Sequence, residues 1–198
     1  MAGATAATLA GLTDWQATDG AARRVGVTHG LLNVTATALY TASLWQRSRR
    51  NRETGRLLAY VGFAIGAASA WLGGNLVFGK QIGVNHATGE GLPEEWTPVP
   101  DTPDLPEGEP RRVEVNGVKV LLLRRGGEIF AIAETCSHLG GPLSEGKVEG
   151  DTVVCPWHGS QFCVRDGSVV SGPATYPQPA LETRLCDGRI EVRVRSKE

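Results

Sequence analysis

Cys136-Ser-His138 and Cys155-Pro-Trp-His158 each join one thiol to one imidazole, and sixteen residues separate the two motifs. Thiolates and neutral imidazoles are both ligands for transition metals, so the four side chains form a candidate metal set. A Cys2His2 zinc site usually groups its two cysteines together and its two histidines together. Here each segment supplies one of each, inside stretches rich in glycine and proline. Such stretches let several backbone N–H groups approach the sulfurs.

The residues around these ligands carry a resemblance. His138-Leu139-Gly140-Gly141-Pro142-Leu143 and His158-Gly159-Ser160-Gln161-Phe162 resemble the two cluster-binding loops of the Rieske family. Ser171-Gly172-Pro173-Ala174 is similar to the proline-containing third loop of that family. The resemblance runs from about Glu95 to the C-terminus. It implies one [2Fe–2S] cluster with Cys136 and Cys155 on one iron and His138 and His158 on the other. It also implies that the imidazoles lie near the surface, that Leu139 and Pro173 cover the cluster, and that Ser160 donates a hydrogen bond to a cluster sulfur. Ser160 read alone is a turn-forming residue after Gly159, and Leu139 read alone is ordinary packing.

The high-potential subtype of that family carries an extra cysteine in each loop, joined as a disulfide, and a tyrosine two residues after the serine. The matching positions here are Gly141, Trp157 and Phe162. The loops therefore resemble the ferredoxin subtype. Cys163 and Cys186 remain outside the motifs, and both are expected to be buried strand thiols, with a disulfide between them the alternative.

The two halves of the chain differ in charge. Residues 1–90 hold eight Lys/Arg against four Asp/Glu, whereas residues 91–198 hold twelve against seventeen. We expect a membrane helical domain over residues 1–82, a linker over 83–94 and a Rieske-type domain over 95–198. No nucleic-acid partner is expected. Val25–Gln46 is a 22-residue stretch with no Lys, Arg, Asp or Glu, and Leu57–Gly79 is a 23-residue stretch of the same kind. At 1.5 Å per residue, either can cross a hydrocarbon core of roughly 30 Å. Spans are therefore expected at about 25–46 and 57–79, with membrane lipid around them.

Gly62, Gly66, Ala70 and Gly74 recur every fourth residue and are expected to mark contact with another membrane helix. Thr28, Asn33, Thr35, Thr37 and Thr41 make the first span more polar, so it is expected to face protein rather than lipid. Arg47, Arg49, Arg50, Arg52 and Arg56 lie between the spans with only Glu53 to offset them. The positive-inside bias puts that loop in the cytoplasm and the second half of the chain on the extracytoplasmic side of the cell membrane.

Ala2–Leu12 is apolar but too short to span, with Asp14 and Trp15 marking an interface after it. Gly11-Leu12-Thr13-Asp14-Trp15, Arg24-Val25-Gly26, His29-Gly30-Leu31-Leu32-Asn33, Gly73-Gly74 and Val84-Asn85-His86 resemble the second half of a small four-helix membrane family of unknown function. That family is often fused to Rieske domains. Its opening helix has no counterpart here, so a truncated start or a partner supplying that helix is expected. His29 and His86 are each read first as a polar anchor or packing contact. Axial haem ligation or a quinone hydrogen bond by the pair is the alternative.

The second half reads as all-β. Asn116-Gly117, Asp166-Gly167 and Asp187-Gly188 are hairpin signals. Strands are expected over Arg112–Val115, Val118–Arg124, Glu128–Ala133, Thr152–Val154, Gln161–Arg165, Leu181–Cys186 and Arg189–Arg195, with Trp96–Val99 a further candidate. The expected fold is an N-terminal transmembrane α-helical domain followed by two small antiparallel sheets with a cluster-binding subdomain.

The function expected from this reading is a membrane-anchored one-electron carrier for redox partner proteins. The alternatives are the iron–sulfur subunit of a respiratory or quinol-oxidising complex, or an electron-supply component for an oxygenase. An oxygenase catalytic subunit needs a further iron held by two histidines and a carboxylate. Forty residues follow His158 and none is histidine, so that class is not expected. No catalytic site of the chain's own is visible.

Overall fold

The computed structural model of the protein describes residues 7, 10–13, 15–16, 18–100 and 105–195. Most of the Ala2–Leu12 segment, and Asp14, lie outside them. The chain divides into two compact units, Met1–Gly83 and Val84–Glu198.

The first unit is an antiparallel helical hairpin. Helix α1 spans Gly20–Ser48 and helix α2 spans Arg52–Gly74, continuing through a π-helical turn over Asn75–Gly79. Asn51 starts α2 by accepting a hydrogen bond from the Thr54 N–H at 3.3 Å, the usual role of an N-cap. The residues turned inward on α1 include Val25, His29, Leu32, Ala36, Leu39, Ser43 and Gln46, in alternating steps of four and three. On α2 they include Gly55, Leu58, Gly62, Ile65, Ser69, Leu72 and Leu76, in steps of three and four. This is the heptad pattern of two helices wound side by side.

Gly55, Gly62 and Ser69 occupy one heptad position and bring the backbones together. A Cβ on Gly62 would lie 3.4 Å from the Leu39 Cβ and 3.6 Å from the Ala36 carbonyl oxygen. The contact within the hairpin therefore follows a seven-residue repeat. Of the expected four-residue stripe, Gly62 lies in that contact, while Gly66 and Gly74 face open space and Ala70 is exposed.

The threonines of α1 are satisfied without a protein neighbour. Thr28, Thr35, Thr37 and Thr41 each donate to the carbonyl four residues earlier, at 2.8–3.1 Å, and all four are exposed. Back-bonding of this kind lets a helix carry hydroxyls on an outer face. Arg52–Gly79 is the one helix among the described residues that is long and apolar enough to cross a membrane by length and composition.

Among the described residues the second unit holds ten antiparallel strands. These are β1 (Thr97–Pro98), β2 (Arg111–Val115), β3 (Val118–Arg125), β4 (Glu128–Ala133), β5 (Lys147–Glu149), β6 (Thr152–Val154), β7 (Gln161–Cys163), β8 (Val169–Ser171), β9 (Ala180–Cys186) and β10 (Arg189–Val194). Six form one sheet in the order β1-β10-β9-β4-β3-β2, and four form a second in the order β5-β6-β7-β8. The expected strands are present, and β5 and β8, which had not been anticipated, complete the second sheet.

Strand β3 shows why the larger sheet sits between two cores. Its side chains alternate faces, as a period of two requires. Val120 and Leu122 enter one core with Val115, Ala131, Leu181, Ile190 and Val192. Leu121 and Leu123 enter another with Ile132, Leu143, Val153, Phe162, Cys136 and Cys155. All four β3 residues are fully buried, so truncating any of the three leucines to alanine should cost about 2–5 kcal/mol. The second core contains both cysteines of the motifs, so the packing that builds the unit also seats them.

Residues 84–94, expected as a linker, belong to this unit. Leu92 lies in the first core, the Pro93 carbonyl accepts from the Val194 N–H at 2.7 Å, and the His86 N–H donates to the Ser137 carbonyl at 3.0 Å. The prolines and glycines of the segment exclude a helix but do not prevent an irregular chain from packing. Cys163 is half-buried and Cys186 is exposed, which corrects the expectation of two buried thiols. Cys186 ends β9 beside the Asp187-Gly188 turn, where the sheet has no cover.

Candidate metal centre

Two turns of the same construction hold the four candidate ligands. In the first, between β4 and β5, the Cys136 N–H donates to the Gly141 carbonyl at 2.8 Å and the Gly140 N–H to the Cys136 carbonyl at 2.9 Å. In the second, between β6 and β7, the Cys155 N–H donates to the Ser160 carbonyl at 2.8 Å and the Gly159 N–H to the Cys155 carbonyl at 3.0 Å. Each turn closes on the fourth and fifth residues after its cysteine. That fourth residue is a glycine at positive φ, 78° for Gly140 and 74° for Gly159, a conformation disfavoured for other residues.

The thiols point inward and the imidazoles outward. Cys136 and Cys155 are 1% and 3% exposed, whereas His138 and His158 are half-buried. The imidazole centroids lie 5.0 Å apart with the ring planes at 87°. The Cys136 thiol hydrogen-bonds to Cys155, and this bond is the main cause that pulls Cys155 down to about 6 and pushes Cys136 up. Burial raises both. The N–H groups of Trp157 and His158 lower Cys155, and those of His138 and Leu139 lower Cys136. Two sulfurs near enough to share a proton, each met by two backbone N–H groups, form a pocket suited to negative charge.

Gly141 leaves the space between the turns open. A Cβ there would come within 2.9 Å of the Cys155 sulfur and 3.1 Å of the Trp157 Cγ. Gly141 and Trp157, expected to match the disulfide positions of the high-potential subtype, are therefore neighbours in space. Neither can form that bond, and all four cysteines are free.

Ser160 is fully buried, and its hydroxyl oxygen accepts from the Ala174 N–H at 3.0 Å. That bond ties the second turn to the Ser171–Ala174 loop and leaves the hydroxyl proton as a donor. Pro173, in the same loop, is exposed and follows a cis peptide bond. Leu139 is half-buried beside His138.

His29 lies elsewhere, inside the helical hairpin. Its Nδ1 lies 2.8 Å from the Ser69 carbonyl oxygen and its Nε2 lies 3.1 Å from the Asn33 amide nitrogen. Both ring nitrogens of His29 are thus engaged in helix packing. His86 belongs to the second unit, and its backbone joins the first turn.

Several residues that hold the turns had no signal in the sequence. Ser137, between Cys136 and His138, is fully buried and donates its hydroxyl to the Tyr176 carbonyl at 2.6 Å. Glu134 is buried and accepts from both the N–H and the hydroxyl of Ser144. Burial pushes its carboxyl up, and the Ser144 bonds oppose that shift. Gln178 donates to the Thr135 carbonyl at 3.1 Å.

No three His, Cys, Asp or Glu side chains among the described residues gather around one point as a single-ion site would require. The donors stand as a thiol pair and an imidazole pair instead. That arrangement fits a binuclear centre with sulfur on one metal and nitrogen on the other.

Comparison with known proteins agrees with this geometry. The Rieske [2Fe-2S] domain matches residues 95–183, and the predicted membrane protein family DUF2231 matches residues 1–86. The 3-phenylpropionate/cinnamic acid dioxygenase ferredoxin subunits of Escherichia coli (strain K12) and Shigella flexneri are each 44% identical over 88 residues. The match covers 44% of this chain and 82% of theirs. The ferredoxin of carbazole 1,9a-dioxygenase from Nocardioides aromaticivorans IC177 aligns over 50% of this chain and 98% of its own, at 27% identity and a TM-score of 0.47. Paired thiols facing paired imidazoles, in a β unit matched over most of a ferredoxin subunit's length, show that the chain belongs to the Rieske [2Fe–2S] family, here joined to an N-terminal region that matches the predicted membrane protein family DUF2231.

Proposed function

We propose that Cys136 and Cys155 ligate one iron, and His138 and His158 the other, of a single [2Fe–2S] cluster in a membrane-anchored one-electron carrier. The observation that carries this reading is the pair of matching turns, which present two thiols inward and two imidazoles outward at 5.0 Å. Bound there, the cluster supplies a one-electron couple. The buried cysteines keep water from the sulfur side, and the half-buried histidines are the edge through which a partner exchanges the electron. Leu139 and Pro173 limit water around that edge, and Ser160 directs its hydroxyl proton at the cluster.

The relatives named above are ferredoxin subunits of dioxygenases, which supports an oxygenase component as the electron acceptor. The adjacent Gly141 and Trp157 also favour the ferredoxin subtype over a high-potential quinol oxidant. An iron–sulfur subunit of a respiratory or quinol-oxidising membrane complex is the second reading, and the membrane domain favours it.

We further propose two membrane spans, at about 25–46 and 57–79, with the Arg47–Arg56 loop in the cytoplasm and the β unit outside. Five exposed arginines at the hairpin turn support that orientation. Gly66, Ala70 and Gly74 then offer their open face to another helix.

Paramagnetic resonance on purified membranes, with Cys155→Ser as comparison, tests the centre. Wild type should give a Rieske-type signal, and the variant should lose most of its iron and colour. A full Rieske spectrum in the variant overturns the ligand assignment. For topology, single cysteines are added to a chain whose Cys163 and Cys186 are replaced, and intact cells are labelled from outside. Labelling at residue 48 with none at residue 110 reverses the orientation, and release of the protein by high salt refutes the spans.

A further inference from the structure

We propose that Val84–Pro93 is a strap that acts on the cluster through one peptide group, with the His86 amide as its positioning group. Residues 87–94 lie outside both family matches. They are nevertheless packed: Ala87 is 6% and Leu92 7% exposed, and the Pro93 carbonyl accepts from Val194 at 2.7 Å. The far end of the strap is thus set in the core of the β unit. The near end meets the first turn, where the His86 N–H donates to the Ser137 carbonyl at 3.0 Å.

That carbonyl belongs to the same peptide as the His138 N–H. The His138 N–H is directed at the Cys136 sulfur. One line of donors therefore runs from the His86 N–H to the Ser137 carbonyl, then from the His138 N–H to the Cys136 sulfur. A peptide that accepts at its oxygen is polarised and donates more strongly at its nitrogen. The Ser137 hydroxyl, bonded to the Tyr176 carbonyl at 2.6 Å, holds the residue from its other side. The His86 ring lies against the same turn, with its Nδ1 3.9 Å from where a Cβ on Gly140 would stand. The amide, which proline lacks, and the ring, which alanine lacks, can be removed separately.

A hydrogen bond to a thiolate ligand favours the reduced cluster, which carries the extra negative charge, so weakening it lowers the potential. The inference rests on Cys136 being a cluster ligand. The test uses the full chain in detergent and compares wild type, His86→Pro and His86→Ala by redox titration and paramagnetic resonance. His86→Pro should shift the oxidised-to-reduced ratio two- to fivefold toward oxidised at fixed potential, about 20–40 mV for one electron. His86→Ala keeps the amide and should stay within twofold of wild type.

An unchanged His86→Pro, or an equal shift in both variants, overturns the role of the amide. Should His86→Pro lose its cluster, amide exchange of the wild-type 84–93 peptide decides the matter. Exchange at least tenfold slower than in an unstructured peptide of the same sequence supports the strap, and unslowed exchange overturns it. A wild-type chain with no Rieske signal would instead refute the centre itself.

Discussion

The hydroxyl oxygen of Ser160 accepts the Ala174 amide at 3.0 Å, so one side chain links the second ligand turn to the proline loop and still has a proton to donate. Ser160→Ala removes both functions. The midpoint potential should fall by about 40 mV, the equivalent of about 1 kcal/mol of hydrogen bonding stronger in the reduced state. Redox titration of the purified protein checks the shift, and an unchanged midpoint would show that the hydroxyl serves only the loop.

Phe162 is fully buried on β7, packed with Leu121, Leu123 and Val153. Phe162→Tyr adds a hydroxyl on the strand that follows the second ligand turn. The potential should rise by tens of millivolts, on the scale of about 1 kcal/mol per hydrogen bond. Wild type should lie nearer the roughly −150 mV end of the Rieske range than the roughly +300 mV end. A wild-type midpoint above about +200 mV would assign the protein to the quinol-oxidising subtype.

Gly141 and Gly150 give a paired test of the cradle. A Cβ at Gly141 meets the Cys155 sulfur at 2.9 Å, whereas one at Gly150 meets nothing within 4 Å but must adopt φ 61°. Gly141→Ala should therefore speed loss of iron to a chelator severalfold. Gly150→Ala should cost about 1 kcal/mol of stability from its left-handed backbone and leave the cluster signal unchanged. Equal chelation rates in the two variants would mean that Gly141 does not bound the cluster cavity.

Asp166 carries a pH prediction. The N–H and hydroxyl of Ser168 donate to its carboxylate at 2.9 and 2.7 Å and hold its pKa below the ordinary carboxylate value. A group depressed in the folded state contributes stability above its unfolded pKa and loses it as pH falls through the folded one. Asp166→Asn should therefore show a smaller drop in denaturation midpoint between about pH 6 and about pH 3 than wild type. An identical drop would place the acid sensitivity elsewhere.

The four candidate ligands stood out because each motif places donors of fixed chemistry at short range, and the hairpin signals at Asn116-Gly117 and Asp187-Gly188 delimited the strands. What holds the turns was not readable. Ser137 and Gln178 act through partners about forty residues away, a relation local spacing does not encode. The four-residue stripe from Gly62 to Gly74 concealed the seven-residue repeat of Gly55, Gly62 and Ser69 because the two share Gly62. The strap read as a linker because its prolines and glycines argue against regular structure, which is not the same as arguing against packing. Ala87 and Leu92, apolar within a polar stretch, were its one available signal.

The two ligand turns close the same backbone ring but differ in where the imidazole is carried. His138 is the second residue after its cysteine and His158 the third after its own. A twofold likeness in the scaffold is thereby broken in the imidazoles, whose ring planes stand 87° apart. Trp157 flanks His158, its ring centroid 6.4 Å away, while Leu139 flanks His138. A centre seated here has a left and a right that a docking surface can tell apart.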